Sequence, residues 1–396
     1  MPPAPPDLAA EPGIGGVEAL PWGAVWGQDA AVQTLRTAAA DPGSLAHAWL
    51  ITGPPGSGRS TLALAFAAAL VAAGPEDVAT MRQVLAGAHP DVTALRTEGV
   101  IISIKEARAL VERSYFGPSV GRYRVLVVED ADRMTERTSN VLLKALEEPP
   151  ERTVWVLCAP SEADLLPTIR SRVRSLRLRE PEVEDVANLI VRRTGVDEAV
   201  AEQAARHAQR HIGMAQRLAT DPAARTRRDA TLRGVLAVRS VGDAVDVAAR
   251  IVEAATEDAK ALTAERDTEE RAALLRTIGV HEGQAVPPAV RAQLRDLEDE
   301  QKRRATRSLR DGLDRVLTDL QSLFRDVVMI QLSRDVNLVN RELSGELAAL
   351  AAAWPPQRTL DVLDQLQITR RNLEQNAAPA LALESMLVTV ASGRTP

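Results

Sequence analysis

The sequence predicts an α/β domain built on a parallel sheet, followed by an all-α remainder, and three observations predict it. A glycine-rich loop of the phosphate-binding type lies between a short apolar run and an apolar helix, at residues 48–71. From about Leu20 to Arg179, strand-like apolar runs alternate with helical stretches, the signature of a parallel sheet with helical crossovers. The strand-poor stretch from Glu180 to about Ala224 reads as a small helical unit, and everything beyond Arg225 is helical in pattern.

The loop reads Gly53-Pro54-Pro55-Gly56-Ser57-Gly58-Arg59-Ser60-Thr61. In the motif G-x-x-x-x-G-K-[S/T], glycines let backbone N–H groups curl around phosphates, a lysine reaches the terminal ones and a hydroxyl holds Mg²⁺. Arg59 stands in the lysine's place. A guanidinium is bulkier and spreads its charge over a fork of donors, so the exchange is not conservative where a compact charge must sit among phosphates. Gly53, Gly56, Gly58, Arg59, Ser60 and Thr61 are therefore candidate residues of a degenerate nucleotide site, with weakened nucleotide handling expected. The flanks suit a genuine loop of this kind. Ala48-Trp49-Leu50-Ile51-Thr52 leads in as a strand, and Leu62 to Val71 leads out as a buried helix.

A second strand, Arg124-Val125-Leu126-Val127-Val128, ends in Glu129 and Asp130. Ligands gather where α/β strands end at their carboxyl side. An active phosphate-loop ATPase places an aspartate near Mg²⁺ and a water-orienting acid beyond it. Here the order is glutamate, then aspartate. The reversal misplaces either carboxylate by about an ångström, and such a misplacement costs on the order of 10²-fold. Glu129 and Asp130 join the degenerate site on these terms. The competing reading is a solvated strand end that caps the next helix.

Ser103-Ile104-Lys105-Glu106 has the spacing of a capping box and predicts a helix start ahead of Ala107, Leu110 and Val111. Cys158, the chain's one cysteine, sits in Val154-Trp155-Val156-Leu157-Cys158 and is expected as a buried strand residue. The 396 residues, 45% hydrophobic and 26% charged, suffice for two or three domain cores. No run approaches ~18 consecutive apolar residues, and Met1 to Gly16 is Pro/Gly-rich without signal-peptide character. A cytoplasmic location, no membrane partner and a disordered leader over residues 1–19 are the expectations. The net charge of −6 argues against a dedicated DNA-binding surface.

Three stretches carry a family likeness. They are Val125 to Thr135, Asn140-Val141-Leu142-Leu143-Lys144-Ala145-Leu146-Glu147-Glu148-Pro149-Pro150, and Leu165-Leu166-Pro167-Thr168-Ile169-Arg170-Ser171-Arg172-Val173. With Val25-Trp26-Gly27-Gln28-Asp29, His47-Ala48-Trp49-Leu50 and Asn376 to Glu384, they make the chain resemble the AAA+ clamp-loader subunits of bacterial DNA polymerase III. Within that family it looks like the delta-prime type. The resemblance implies an AAA+ domain over 20–179, a helical lid over 180–224 and a helical collar over 225–396, with a charged insertion near 255–305. It also implies that Arg172 is a trans-acting finger for ATP bound in a neighbouring subunit, a task suited to a planar, permanently charged donor. Read on pattern alone, Arg170, Arg172, Arg174, Arg177 and Arg179 interleaved with Val173, Leu176 and Leu178 suggest a half-buried strand.

The implied partners are the gamma/tau and delta loader subunits in a pentameric ring, with the sliding clamp and primed DNA met through the complex. The chain departs from the family in several places. The stretch Ala72 to Met81 has no cysteine or histidine for a tetrahedral zinc, so no zinc or other metal is expected. Gly213-Met214-Ala215-Gln216-Arg217 stands where an ATP-sensing arginine is common, and Cys158-Ala159-Pro160-Ser161 lacks the Thr or Asn sought opposite a terminal phosphate. No cofactor is required on this reading, and ATP with Mg²⁺ would bind weakly. The rival readings are the ATP-hydrolysing gamma/tau motor subunit of the same loader and a stand-alone AAA+ remodeller.

The C-terminal third holds a stripe of Leu309, Leu313, Val316, Leu320, Leu323, Val327 and Ile330 at steps of four and three. Intradomain packing is the favoured reading, with contact to another chain the alternative. Glu298, Asp299 and Glu300 precede Lys302, Arg303 and Arg304 by four residues, a register for an exposed, salt-laced helix. The stretch Ala255 to Pro287, with Gly279 and Gly283, reads as an insertion without a predicted fold.

Overall fold

The computed structural model describes residues 22, 25, 27–74, 76–97, 100–278, 288–334 and 337–391. The expected leader, Trp26, Gly279, Gly283 and Pro287 lie outside the described residues. The chain divides into two compact units, Met1–Ala219 and Thr220–Pro396.

The first unit is built on five strands: β1 (Ala48–Thr52), β2 (Val92–Leu95), β3 (Arg124–Val128), β4 (Thr153–Ala159) and β5 (Arg174–Arg177). They pair in parallel in the order β2-β3-β4-β1-β5. The three inner strands are buried at every position, which is why they read as unbroken apolar runs and not as alternating ones. Side chains alternate between the two faces. Trp49, Ile51, Val125, Val127, Val154, Val156 and Cys158 pack with α1 (Asp29–Ala40), α2 (Arg59–Val71) and α3 (Val78–Leu85). Leu50, Leu126, Val128, Trp155 and Leu157 pack with α4 (Ile104–Ser114) and α5 (Glu136–Glu147) on the other face. The expected capping box opens α4: the Ser103 hydroxyl accepts from Glu106 N and the Glu106 carboxylate from Ser103 N. Cys158 is buried in β4, as its apolar setting predicts.

A carboxylate organises the edge of this sheet. Asp91, fully buried just before β2, accepts from Ser119 N at 2.6 Å, Ser119 Oγ at 2.8 Å, Val120 N and Gly121 N at 2.7 Å, and Arg124 Nη2 at 3.1 Å. Burial pushes its carboxyl up, but the N–H groups of Gly121, Ser119 and Val120 and the Ser119 hydroxyl outweigh it and hold the pKa at about 2. The loop so fixed runs close to α2: a Cβ on Gly121 would lie 2.9 Å from Val71 Cβ.

After the sheet come the short α6 (Pro167–Arg170) and three helices, α7 (Val183–Thr194), α8 (Glu198–His207) and α9 (Ile212–Thr220). Val186, Leu189, Ile190, Ala201, Ala204, Ala205 and Leu218 are among their buried residues.

Among its described residues the second unit is helical: α10 (Pro222–Ala237), α11 (Val241–Ile278), α12 (Pro288–Gln331), α13 (Ser344–Ala353), α14 (Pro356–Glu374) and α15 (Pro379–Ala391). The predicted stripe lies on α12 and faces the unit's own core. Leu313, Leu320, Leu323 and Val327 are buried there, with Leu309, Val316 and Ile330 packed against them. Phe324 stacks on Trp354 with ring centroids 6.0 Å apart.

The charged stretch read as an insertion near 255–305 is helical where described, the end of α11 and the start of α12. Arg304 pairs with Asp267 at 2.6 Å and with Glu270 at 3.0 Å, and Arg271 pairs with Glu298 at 3.1 Å, so the two helices run antiparallel there. Ionic and polar contacts act there beside the buried apolar residues Ala255, Ala259 and Leu294. Among the described residues no helix is long and apolar enough to cross a membrane.

Candidate phosphate loop and arginine cleft

The phosphate loop occupies the carboxyl end of β1, the strand between β4 and β5. Its glycines meet backbone demands: Gly56 has φ +78° and Gly58, which caps α2, has φ +90°, values an L side chain rarely adopts. At Gly53 an added Cβ would lie 2.8 Å from Ser57 Oγ and 2.9 Å from Leu178 Cβ, so close packing decides that residue. Arg59, Ser60 and Thr61 form the first turn of α2, where backbone N–H groups favour an anion. Arg59 Nη1 and Ser57 Oγ are buried with no hydrogen-bond partner among the described residues. Donors without acceptors fit an oxyanion.

The acids expected beside the loop are there. β3 delivers Glu129 and Asp130 to the same edge of the sheet, one strand away across β4. The fully buried Cys158 thiol, at the end of β4, reports the grouping. Burial pushes its pKa up, the charges of Glu129, Asp130 and Asp132 add to that, and Arg59 opposes them. Asp132 follows in a 3-10 turn, Ala131–Arg133, and its pKa is raised by burial and by Asp130, against its own backbone N–H, Arg133 and Arg59. Arg59 thus lies within electrostatic reach of this acidic group. Asp132 went unread in the sequence, although it stands two residues beyond Asp130.

His211 also escaped the sequence reading. It caps α9, its Nδ1 accepting from Met214 N at 3.2 Å, and it lies directly against the phosphate loop. A Cβ on Gly56 would sit 2.5 Å from His211 Cγ. The α9 N-terminus therefore closes on the loop through an imidazole. Gly53 N donates to Pro160 O at 3.2 Å, which ties the loop to the segment after β4.

Arg172 lies elsewhere. It follows α6 and precedes β5, so it is not itself a strand residue, whereas Arg174 and Arg177 are. With Ala46, His47, Ala48, Leu146, Glu147, Ser171, Val173 and Arg174 it lines an open cleft of about 660 Å³. Its Nη1 donates to Thr168 O at 2.7 Å and Ser171 Oγ at 2.9 Å, and its Nη2 lies 2.5 Å from Glu147 Oε1. His47 Nε2 bonds Leu146 O at 3.0 Å across the floor, and Arg174 stacks 4.8 Å over Trp49 while donating to Ser44 O.

Register fixes the distance between cleft and loop. Arg174 pairs with Trp49 near the amino end of β1, and the phosphate loop starts at Gly53, four residues on. At ~3.3 Å per residue the separation is ~13 Å along the strand, with Arg172 two residues further back. The structure brings Gly53 to Thr61, Glu129 and Asp130 together and sets Arg172 at the opposite edge of the sheet.

Two family models match the chain. One, described as DNA polymerase III, delta subunit, covers residues 27–182, and the other, described as DNA polymerase III, delta subunit, C terminal, covers residues 306–391. The chain belongs to the DNA polymerase III clamp-loader family. Among its relatives, the DNA polymerase III subunit gamma/tau of Mycobacterium tuberculosis is 33% identical over 165 residues, 39% of this chain and 28% of that protein. The DNA polymerase III subunit delta-prime of Pseudomonas aeruginosa is 36% identical over 135 residues, 32% of this chain and 41% of that protein. The chain thus spans well under half the length of either relative. A gamma-subunit-related protein of Thermotoga maritima aligns at a TM-score of 0.43 and 17% identity, over 92% of this chain and 99% of that one.

Proposed function

We propose that this clamp-loader chain is the delta-prime type of subunit, which lends Arg172 to ATP bound in a neighbouring subunit and turns over little or none of its own. The observation that carries the reading is the position of Arg172. It sits on an open cleft at the amino edge of the sheet, ~13 Å or more from the chain's own phosphate loop, so a phosphate that it serves belongs to another molecule. A permanently charged, planar donor at such an edge is what stabilises charge on a transferring phosphoryl group.

The chain's own loop favours the same reading. Arg59 replaces lysine, the acids run Glu129 then Asp130, and His211 packs on Gly56. Each works against productive ATP geometry. The subunit would act by position: holding Arg172 rigidly favours the closed, ATP-bound ring that opens a sliding clamp and places it on primed DNA. Its partners would be the gamma/tau and delta subunits of a pentameric ring, in the cytoplasm.

The gamma/tau motor reading rests on the longer match, 165 residues against 135. Steady-state ATP turnover by the isolated chain separates the two. The delta-prime reading expects a rate indistinguishable from buffer, whereas sustained turnover lost on Arg59→Ala makes the chain a motor.

A further inference from the structure

Glu147 is the last residue of α5, with Glu148 following, at the end of a helix where the backbone dipole disfavours negative charge. Its side chain is about half exposed and its partner's about a third, and ion pairs this open to solvent add little to stability. Neither helix formation nor folding accounts for a carboxylate here. What it does touch is Arg172: Glu147 Oε1 lies 2.5 Å from Nη2 on the wall of the cleft.

A guanidinium has five N–H donors. Thr168 O and Ser171 Oγ take the two on Nη1, and the Glu147 carboxylate forms an ion pair with Nη2. The Nε and Nη2 donors make no hydrogen bond among the described residues and are left for an oxyanion from outside the chain. A long side chain that would otherwise sample many rotamers is held in one before any ligand arrives.

We propose that Glu147 is a positioning residue: its carboxylate fixes the Arg172 guanidinium so that the remaining donors meet a neighbour's phosphate already oriented. This rests on the reading of Arg172 as a donor in trans. Glu147 touches no phosphate itself. Its removal costs alignment and not nucleotide affinity, so it acts on kcat and leaves KM unchanged.

The test uses the loader reconstituted from its cognate subunits, with this chain as wild type, Glu147→Ala, Glu147→Gln, Arg172→Ala or the Glu147→Ala/Arg172→Ala double variant. Glu147→Ala is expected to lower kcat for ATP by about 10- to 100-fold with KM for ATP unchanged. Glu147→Gln, which keeps an acceptor without the charge, falls between it and wild type. In the Arg172→Ala background the Glu147 change adds nothing, because the two residues act as one unit. Wild-type or higher turnover with Glu147→Ala, beside a large loss with Arg172→Ala, overturns the positioning role and leaves the reading of Arg172 standing. So does loss of ring assembly by Glu147→Ala in size-exclusion chromatography, which would make the residue an interface contact. Normal turnover with Arg172→Ala removes the reading itself, and this proposal with it.

Discussion

Replacing Asp91 with Asn keeps the size of the side chain and removes half of its accepting capacity. The amide oxygen can still serve Ser119 N, Ser119 Oγ and Arg124, which now share the Oδ1 position. The NH₂ then faces Val120 N and Gly121 N, donor against donor, where Oδ2 had accepted both at 2.7 Å. Two stranded N–H groups at ~1–3 kcal/mol each give roughly 3 kcal/mol. The carboxyl supports the figure: a pKa of about 2 against an ordinary 3.8 is worth ~2.5 kcal/mol at 1.36 kcal/mol per unit. For a unit of this size the variant should melt roughly 6–12 °C lower.

The same carboxyl sets a pH dependence. Its folded pKa is depressed, so its contribution is complete above the unfolded value near ~4 and is lost as pH falls toward 2. Thermal melts of wild type and Asp91→Asn between pH 2 and 6 should therefore converge at the acid end. Hydrogen exchange of the segment 117–124 locates the effect. A Tm change under 2 °C at pH 6, or unchanged exchange at Val120 and Gly121, refutes the reasoning.

Two further perturbations test the packing. Gly56→Ala forces a side chain onto a residue at φ +78° and into the His211 ring, so it should cost about 1–3 kcal/mol and speed hydrogen exchange at the start of α9. Unchanged exchange there means that His211 does not rest on the loop. Phe324→Ala empties a fully buried position stacked on Trp354 and should cost ~3–5 kcal/mol, read in urea unfolding as a transition confined to residues 220–396. A loss below 1 kcal/mol contradicts the core assignment.

The sheet was legible where burial on both faces left a plain mark, as in β1, β3 and β4. β2 and α3 were not read, because four part-exposed residues on an edge strand and an eight-residue helix carry too little periodicity. The arginine-rich run after residue 169 misled in part. Its alternation predicts a strand through Arg172, whereas β5 starts only at Arg174 and Arg172 occupies the turn before it. The stripe on α12 was read correctly as core. The charged register at 298–304 was read as helix and lies on α12, whereas the stretch from 255 was left without a fold, because charge patterning such as that of Asp267 and Glu270 does not name the helix they pair with.

At the candidate sites, glycine spacing marked the candidate loop, and the place of Glu129 and Asp130 at the carboxyl end of a strand pointed to the same edge of the sheet. What sequence could not supply was contact between distant segments. His211 meets Gly56 across 155 positions, and Glu147 meets Arg172 across 25. Both pairs depend on how helices return to the sheet, which no local pattern encodes. Glu147 lay inside a motif already singled out, and its position at a helix C-terminus, against the dipole, was the available signal.

Arg172 is proposed to act on a triphosphate held by another subunit. Steady-state ATP hydrolysis by the reconstituted loader, compared between wild type and Arg172→Ala at matched ring assembly, tests it most directly. A large fall in kcat is expected, with ~10³–10⁵-fold as the range such fingers reach in P-loop enzymes, while the isolated chain stays inactive in both forms. Equal rates from two equally assembled rings would contradict it.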